Sequence, residues 1–215
     1  MLTLRQTVSI ATSISDTQSH DPSLDLGLPY EVQHCILAMI QRILEEGCYD
    51  FANRWIPSVL AKNKWTCPEA VELSTWKATL PTSLPADALT PTAKTSLRIG
   101  LDHAVRTRNA ATHRHLCDNY EIRQKVSQAQ DLMMTFSDTT RQSKFIHLLA
   151  ELNDWEIGVQ QNFDAAKKKL QDALQEIGER PMDDMDWTPN SVSLQEVALY
   201  SNPAPEELVD AMELD

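Results

Sequence analysis

Apolar residues along this chain recur every three to four positions rather than every second one, the spacing of helices that bury one face. From Pro29, a good opening residue, Val32, Ile36, Met39, Ile40 and Ile43 predict a first helix, which Gly47 is expected to stop. Phe51, Trp55, Val59 and Leu60 predict a second over 49–62, and Pro57 should kink or divide it. The piece Trp65–Leu80 has Pro68 and Glu69 in a first turn and is expected to break at Pro81. Pro81, Pro85 and Pro91 then read as a surface loop. The next helix begins near Thr92. Asp118 and Asn119 offer a turn or cap before Ile122, Val126, Ala129, Leu132, Met133 and Phe136, and Ser137-Asp138-Thr139 marks another start. From there Phe145, Leu148, Leu152, Ile157, Phe163, Leu170, Leu174 and Ile177 continue without a proline to Gly178, as one long helix or as two segments joined near Gly158.

These elements predict an all-α helical bundle of about five to six helices over 29–178, with a long C-terminal helix or helix pair. Residues 1–28 read as a flexible leader that docks only at its end, through Leu24, Leu26 and Leu28, and residues 179–215 as an acidic tail. Only five glycines among 215 residues, with abundant Ala, Leu, Gln and Glu, agree with helix.

The helix from Thr92 carries the most chemically informative segment, Arg106-Thr107-Arg108-Asn109-Ala110-Ala111-Thr112-His113. At about 100° per residue, Leu97, Leu101, Ala104, Val105, Arg108 and Ala111 share the apolar side, while Arg98, Asp102, Arg106, Asn109 and His113 share the other. Arg108 is thus a permanent cation at the edge of an apolar stripe, a costly position unless it is paired or held at a partner interface. Either the polar set points outward together, or the helix ends near Asn109 and Arg108 and His113 converge across the turn. Arginine matches phosphate oxygens and histidine exchanges protons near neutrality, so the segment holds groups able to cleave a phosphodiester without a metal.

Charge refines this picture. The net charge is -12, yet nine acids and no Lys or Arg fall in Pro181–Asp215, so residues 1–180 carry a net of only -3. The body neither advertises nor excludes a local basic site. Four cysteines without a CxxC pair argue against a zinc ribbon or a disulfide-dense scaffold and predict reduced, mostly buried thiols of an intracellular protein, cytoplasmic or nuclear. The longest apolar run, Cys35–Ile40, is far short of the roughly 20 residues of a membrane span. Met1–Ser15 has the Ser and Thr of a transit peptide but only Arg5, not repeated arginines.

Arg108-Asn109-Ala110-Ala111-Thr112-His113 resembles the signature of the HEPN superfamily, an Arg, a polar residue, three residues and a His. Arg106, with six residues before His113, fits the long end of the spacing that family tolerates. Val105–Arg114 also resembles a segment of Arg-His-Thr-Ala-Val-His-Arg type found in fungal proteins. The resemblance covers the motif and its all-helical setting, about 90 to 180, and neither leader nor tail. It implies a HEPN-like bundle acting as a metal-independent endoribonuclease, of the kind found in toxins, or an RNA-binding homodimer. His113 would be the general base or acid, Arg108 (or Arg106) would hold the scissile phosphate, and Asn109 would orient either. A dimer would supply the second histidine. The competing expectation is a non-catalytic helical protein interaction module, as in fungal self/non-self or stress signalling.

No cofactor or metal is expected. His113, His115 and Cys117 alternate, and on a helix alternate positions point about 200° apart. His34 and Cys35 read as satisfied core residues, and His103 and His147 as equally bland. Lys167-Lys168-Lys169 reads as a solvated face balanced by Asp164 and Asp172. Trp55, Trp65, Trp76 and Trp155 read as core or interface anchors. The tail mixes its acids with Met182, Met185, Trp187, Val192, Leu194, Val197, Leu199 and Tyr200, the composition of a segment that orders on a partner.

Overall fold

The computed structural model describes residues 27–179. Among them stand seven α-helices, one short 3-10 turn at Pro68–Ala70 and no strand: α1 Tyr30–Trp55, α2 Pro57–Asn63, α3 Leu73–Ser83, α4 Pro91–Thr112, α5 Asn119–Phe136, α6 Thr139–Val159 and α7 Phe163–Gly178. The all-α bundle is as expected, with one or two more helices. α1 is the central element and packs against α3, α4, α5 and α7, while α4 to α7 follow one another as neighbours across short connections.

Several boundaries follow directly from local chemistry. Asp118 caps α5 in a box with Glu121, Asp138 caps α6, Asn162 caps α7 and Thr90 caps α4 ahead of Pro91. Pro57 divides α1 from α2, and the last stretch is two helices that part just beyond Gly158. Gly47 does not stop α1. It lies mid-helix because α5 crosses there so closely that a Cβ would stand 2.7 Å from Met133 Sδ. Pro81 does not end α3 either, since it sits in the last turn, where losing one backbone hydrogen bond costs little. Leu28 is buried, whereas Leu24 and Leu26 lie outside the described residues, as does the acidic tail from 180 onward.

The core runs through the bundle from Leu28, Ile36 and Ile40 to Trp76, Leu101, Ile122, Phe145 and Leu170. Trp76 and Trp155 are core residues as expected, and Trp55 and Trp65 pack half-buried against it. Five helix ends meet at one end of the bundle. The Leu28 amide donates to Asn119 Oδ1 (3.1 Å), Gln33 Nε2 to the Leu28 carbonyl (2.8 Å) and the Cys117 amide to Gln33 Oε1 (3.1 Å), which ties the start of α1 to the α4–α5 connection. Arg123 donates to the Leu152 carbonyl (2.6 Å), bonds Asn153 and pairs with Glu156 (2.8 Å), tying the start of α5 to the end of α6. Trp155 meets Phe163 edge-on at 5.8 Å, and Lys167 pairs with Glu31 at 2.7 Å, bringing in the start of α7.

Candidate functional site

α4 is a helix through Thr112, so the motif straddles its C-terminal turn. His113 is the cap residue. The Arg114 amide donates to the Ala111 carbonyl (3.3 Å) and the His115 amide to the Ala110 carbonyl (3.0 Å), the paired bonds of a Schellman ending. That ending needs a left-handed residue at Arg114, whose φ is 53°, a conformation glycine adopts at no steric cost and arginine does not.

The buried stripe of α4 is Leu97, Gly100, Leu101, Ala104, Thr107, Ala110 and Ala111. It is rotated from the expected stripe toward the small residues Gly100, Thr107 and Ala110, with Val105 and Arg108 half-buried at its edge. The reason is proximity to α5: a Cβ on Gly100 would lie 2.9 Å from Leu132 Cδ1. Arg98, Arg106 and His113 are exposed as expected. Asp102 pairs with Lys77 at 2.6 Å, and that lysine's hydrogen bond holds the Asp102 carboxyl below the ordinary carboxylate range.

Arg108 is paired within the chain. Its Nη2 meets Glu72 Oε2 at 2.9 Å, on the residue preceding α3, and its Nη1 donates to Asn109 Oδ1 at 3.2 Å. Glu45 of α1 stands close enough to interact electrostatically with both Arg108 and Glu72, and burial pushes its carboxyl above the ordinary range. The guanidinium that the motif offers to a phosphate is thus engaged by one carboxylate and influenced by a second. No hydrogen bond joins Arg108 to His113 among the described residues. Arg106 is exposed and forms no salt bridge there.

His113 finds a different neighbour. Because the helix ends at Thr112, His113 and His115 are not on opposite sides of a helix. Their rings stack at 5.9 Å between centroids, tilted by 26°. This corrects the separation inferred for alternate helical positions, although no group of three potential metal-ligating residues occurs among the described residues. A second imidazole is therefore present beside His113 within one chain.

Other expectations need correction. Cys48 and Cys117 are buried, with burial pushing both thiols up, but Cys35 and Cys67 are exposed and all four are free. Cys35 lies on the side of α1 left open between α1 and α7, and His34 is half-buried, so neither is a core residue. Lys167 and Lys169 are balanced across helices, by Glu31 and by Glu151 and Asp154, instead of by Asp164 and Asp172. His147 sits 3.6 Å from Glu151. The buried cluster that sequence spacing does not reveal is Arg141, enclosed by Asp138 (2.5 Å), Asp50 (2.6 Å) and Glu46 (3.9 Å). Burial works against its charge, yet the carboxylates prevail and raise its pKa, which marks a structural clamp between α1 and α6.

Three grooves lie away from the motif: about 210 Å³ between α3 and α4 at Pro81, Leu84 and Arg98, about 250 Å³ between α1 and α7 at Val32, Cys35 and Leu174, and a shallow one along Ser58–Lys62. Around the motif the notable surface feature is apolar. Leu116 (75% exposed), Tyr120, Ile157, Phe163 and Tyr30, five of the eight exposed large hydrophobic residues among the described residues, belong to the five helix ends that meet there. No helix among the described residues is long and apolar enough to cross a membrane. No protein-family model, curated protein or solved structure matches the chain.

Proposed function

We propose that this chain is a helical protein interaction module that docks its partner on the end of the bundle where α4 passes into α5. The observation that carries this reading is the gathering of Tyr30, Leu116, Tyr120, Ile157 and Phe163, all exposed, on helix ends stapled together by Asn119, Arg123 and Gln33. Exposed apolar residues scattered singly need no explanation, but five gathered on neighbouring helix ends point to a contact surface. Arg108 and Asn109 serve this module as a brace: their bonds hold the end of α4 against the start of α3. The test is co-purification with wild type and with Leu116→Ser/Ile157→Ser/Phe163→Ser. A defined set of proteins retained by the wild type and lost from the variant, with the variant melting within a few degrees of wild type, supports the reading; an unchanged set ends it.

A second reading, metal-independent RNA cleavage by a HEPN-like monomer or homodimer, is favoured by the stacked His113 and His115 beside exposed Arg106 and Arg114. Two imidazoles and a free guanidinium are the acid, base and phosphate ligand that 2′-OH attack requires. In that reading Arg106 takes the phosphate role, since Arg108 is engaged by Glu72. Cleavage of labelled single-stranded RNA in excess chelator, abolished by His113→Ala and by Arg106→Ala but retained by Arg108→Lys, would establish it. Absence of any cleavage leaves the interaction module.

A further inference from the structure

The docking end has a charged side that its apolar residues do not account for. Between Asp102 and Asp118 the chain holds Arg106, Arg108, Arg114 and three histidines, with no carboxylate. Arg108 is paired with Glu72, while Arg106, His113, Arg114 and His115 remain exposed, the last three directly before Leu116, the most exposed large hydrophobic residue described. These side chains lie at the carbonyl end of α4, where cations are favourably placed. An occupant of this surface must bring carboxylates and apolar side chains together.

The chain carries such a segment. Residues 181–215 hold nine acids and no Lys or Arg, interleaved with Trp187, Leu194, Leu199, Leu208, Met212 and Leu214. We propose that this acidic tail docks in cis over the α4–α5 turn, its carboxylates on Arg106 and Arg114 and its apolar residues on Leu116. The inference rests on the docking reading above and names the surface's resident occupant. Reach is ample. α7 ends at Gly178 and Glu179, whose carbonyls accept from Arg42 and Lys144 at the far end of the bundle. The 16 residues of α7 span about 24 Å. The 36 residues of 180–215 span on the order of 120 Å when extended. Tethering also gives the tail an effective concentration in the millimolar range. A phosphate backbone would satisfy the cations but leave Leu116 uncovered, and for that reason the observations favour the tail over RNA.

The test uses the full ¹⁵N-labelled chain in three forms: wild type, the tail-reversed variant Glu206→Lys/Glu207→Lys/Asp210→Lys, and the surface-reversed variant Arg106→Glu/Arg114→Glu. Docking in cis predicts that the tail variant moves the amide resonances of His113–Tyr120 and that the surface variant moves those of Leu208–Leu214. Both effects should be independent of protein concentration and should fade as salt shortens the screening length to roughly 4 Å. Shifts confined to the neighbours of the substituted residues in both variants overturn the proposal. Shifts that grow with protein concentration overturn it in favour of a second copy's tail. A uridine oligonucleotide that moves His113–Tyr120 equally in wild type and tail-reversed chains overturns it as well, because a covered surface resists such binding. None of these outcomes alters the co-purification result, since the serine substitutions read the surface whatever lies on it.

Discussion

Single residues carry most of the departure from what spacing alone predicts. Arg108 was legible as a costly cation on the edge of an apolar stripe, but its partner Glu72 lies 36 residues upstream, on the residue before α3, and no periodicity links the two. Glu45 completes that cluster, and its charge is disfavoured by burial. The sign follows from a carboxyl whose folded pKa is raised above the ordinary 4.5: below that value both states are protonated and nothing is lost, and as pH rises the unfolded chain releases its proton first, so stability falls. Glu45→Gln keeps an acceptor for Gln41 and should therefore raise the melting temperature at pH 7 and leave it unchanged at pH 3, as read by thermal melts at both values. A lower melting temperature at pH 7 would show that attraction to Arg108 outweighs burial. At Arg114 the backbone is left-handed, so Arg114→Gly should stabilise the chain by about 0.5–1 kcal/mol in urea unfolding. Loss of stability instead would mean that the arginine side chain contributes more than its backbone costs.

Helix starts at Asp118 and Asp138 were readable because caps are local and bond backbone amides within their own first turns. Helix stops and helix faces were less so, because glycine has two uses. At Gly47 and Gly100 it permits close crossings of α5 over α1 and α4, and nothing in the local sequence separates that use from a stop. The consequence at Gly100 is an expected overpacking. Its added Cβ would lie 2.9 Å from Leu132 Cδ1 and 3.2 Å from Leu132 Cβ, and the latter cannot swing away as the end of a flexible chain can. Gly100→Ala gains up to about 1 kcal/mol of helix propensity but should still lose about 1–2 kcal/mol net through displacement of α5. Gly47→Ala meets only the far end of Met133 and should cost less, so the order of the two in urea unfolding tests which contact is rigid.

Over the whole molecule, the fold class was legible because helical periodicity is written along the entire chain, whereas the candidate site was not, because it is made by helix ends that meet only in three dimensions. Sequence spacing singled out Arg106, Arg108, Asn109 and His113 on one helix; the fold divides them, turning Arg108 and Asn109 to a brace and leaving Arg106 and His113 exposed at the surface. Tyr30, Ile157 and Phe163 come to the same end from α1, α6 and α7, and the bonds of Asn119, Arg123 and Lys167 help hold those ends together. A surface built this way is distinguishable from a core by its energetics. Leu116 and Ile157 already contact water in the folded chain, so replacing them should change folding free energy by no more than about 0.5 kcal/mol each, whereas Phe163 also meets Trp155 edge-on and its replacement should cost about 1 kcal/mol. A core leucine such as Leu101, fully buried in α4, should cost about 2–5 kcal/mol when replaced by alanine. The triple serine variant is therefore expected to melt within a few degrees of wild type and to bind less of a hydrophobic dye, while Leu101→Ala melts much lower and binds more. Should the triple variant melt as low as Leu101→Ala, those three side chains would belong to the fold's own stability, and the end of the bundle would be part of its core rather than a place for a partner.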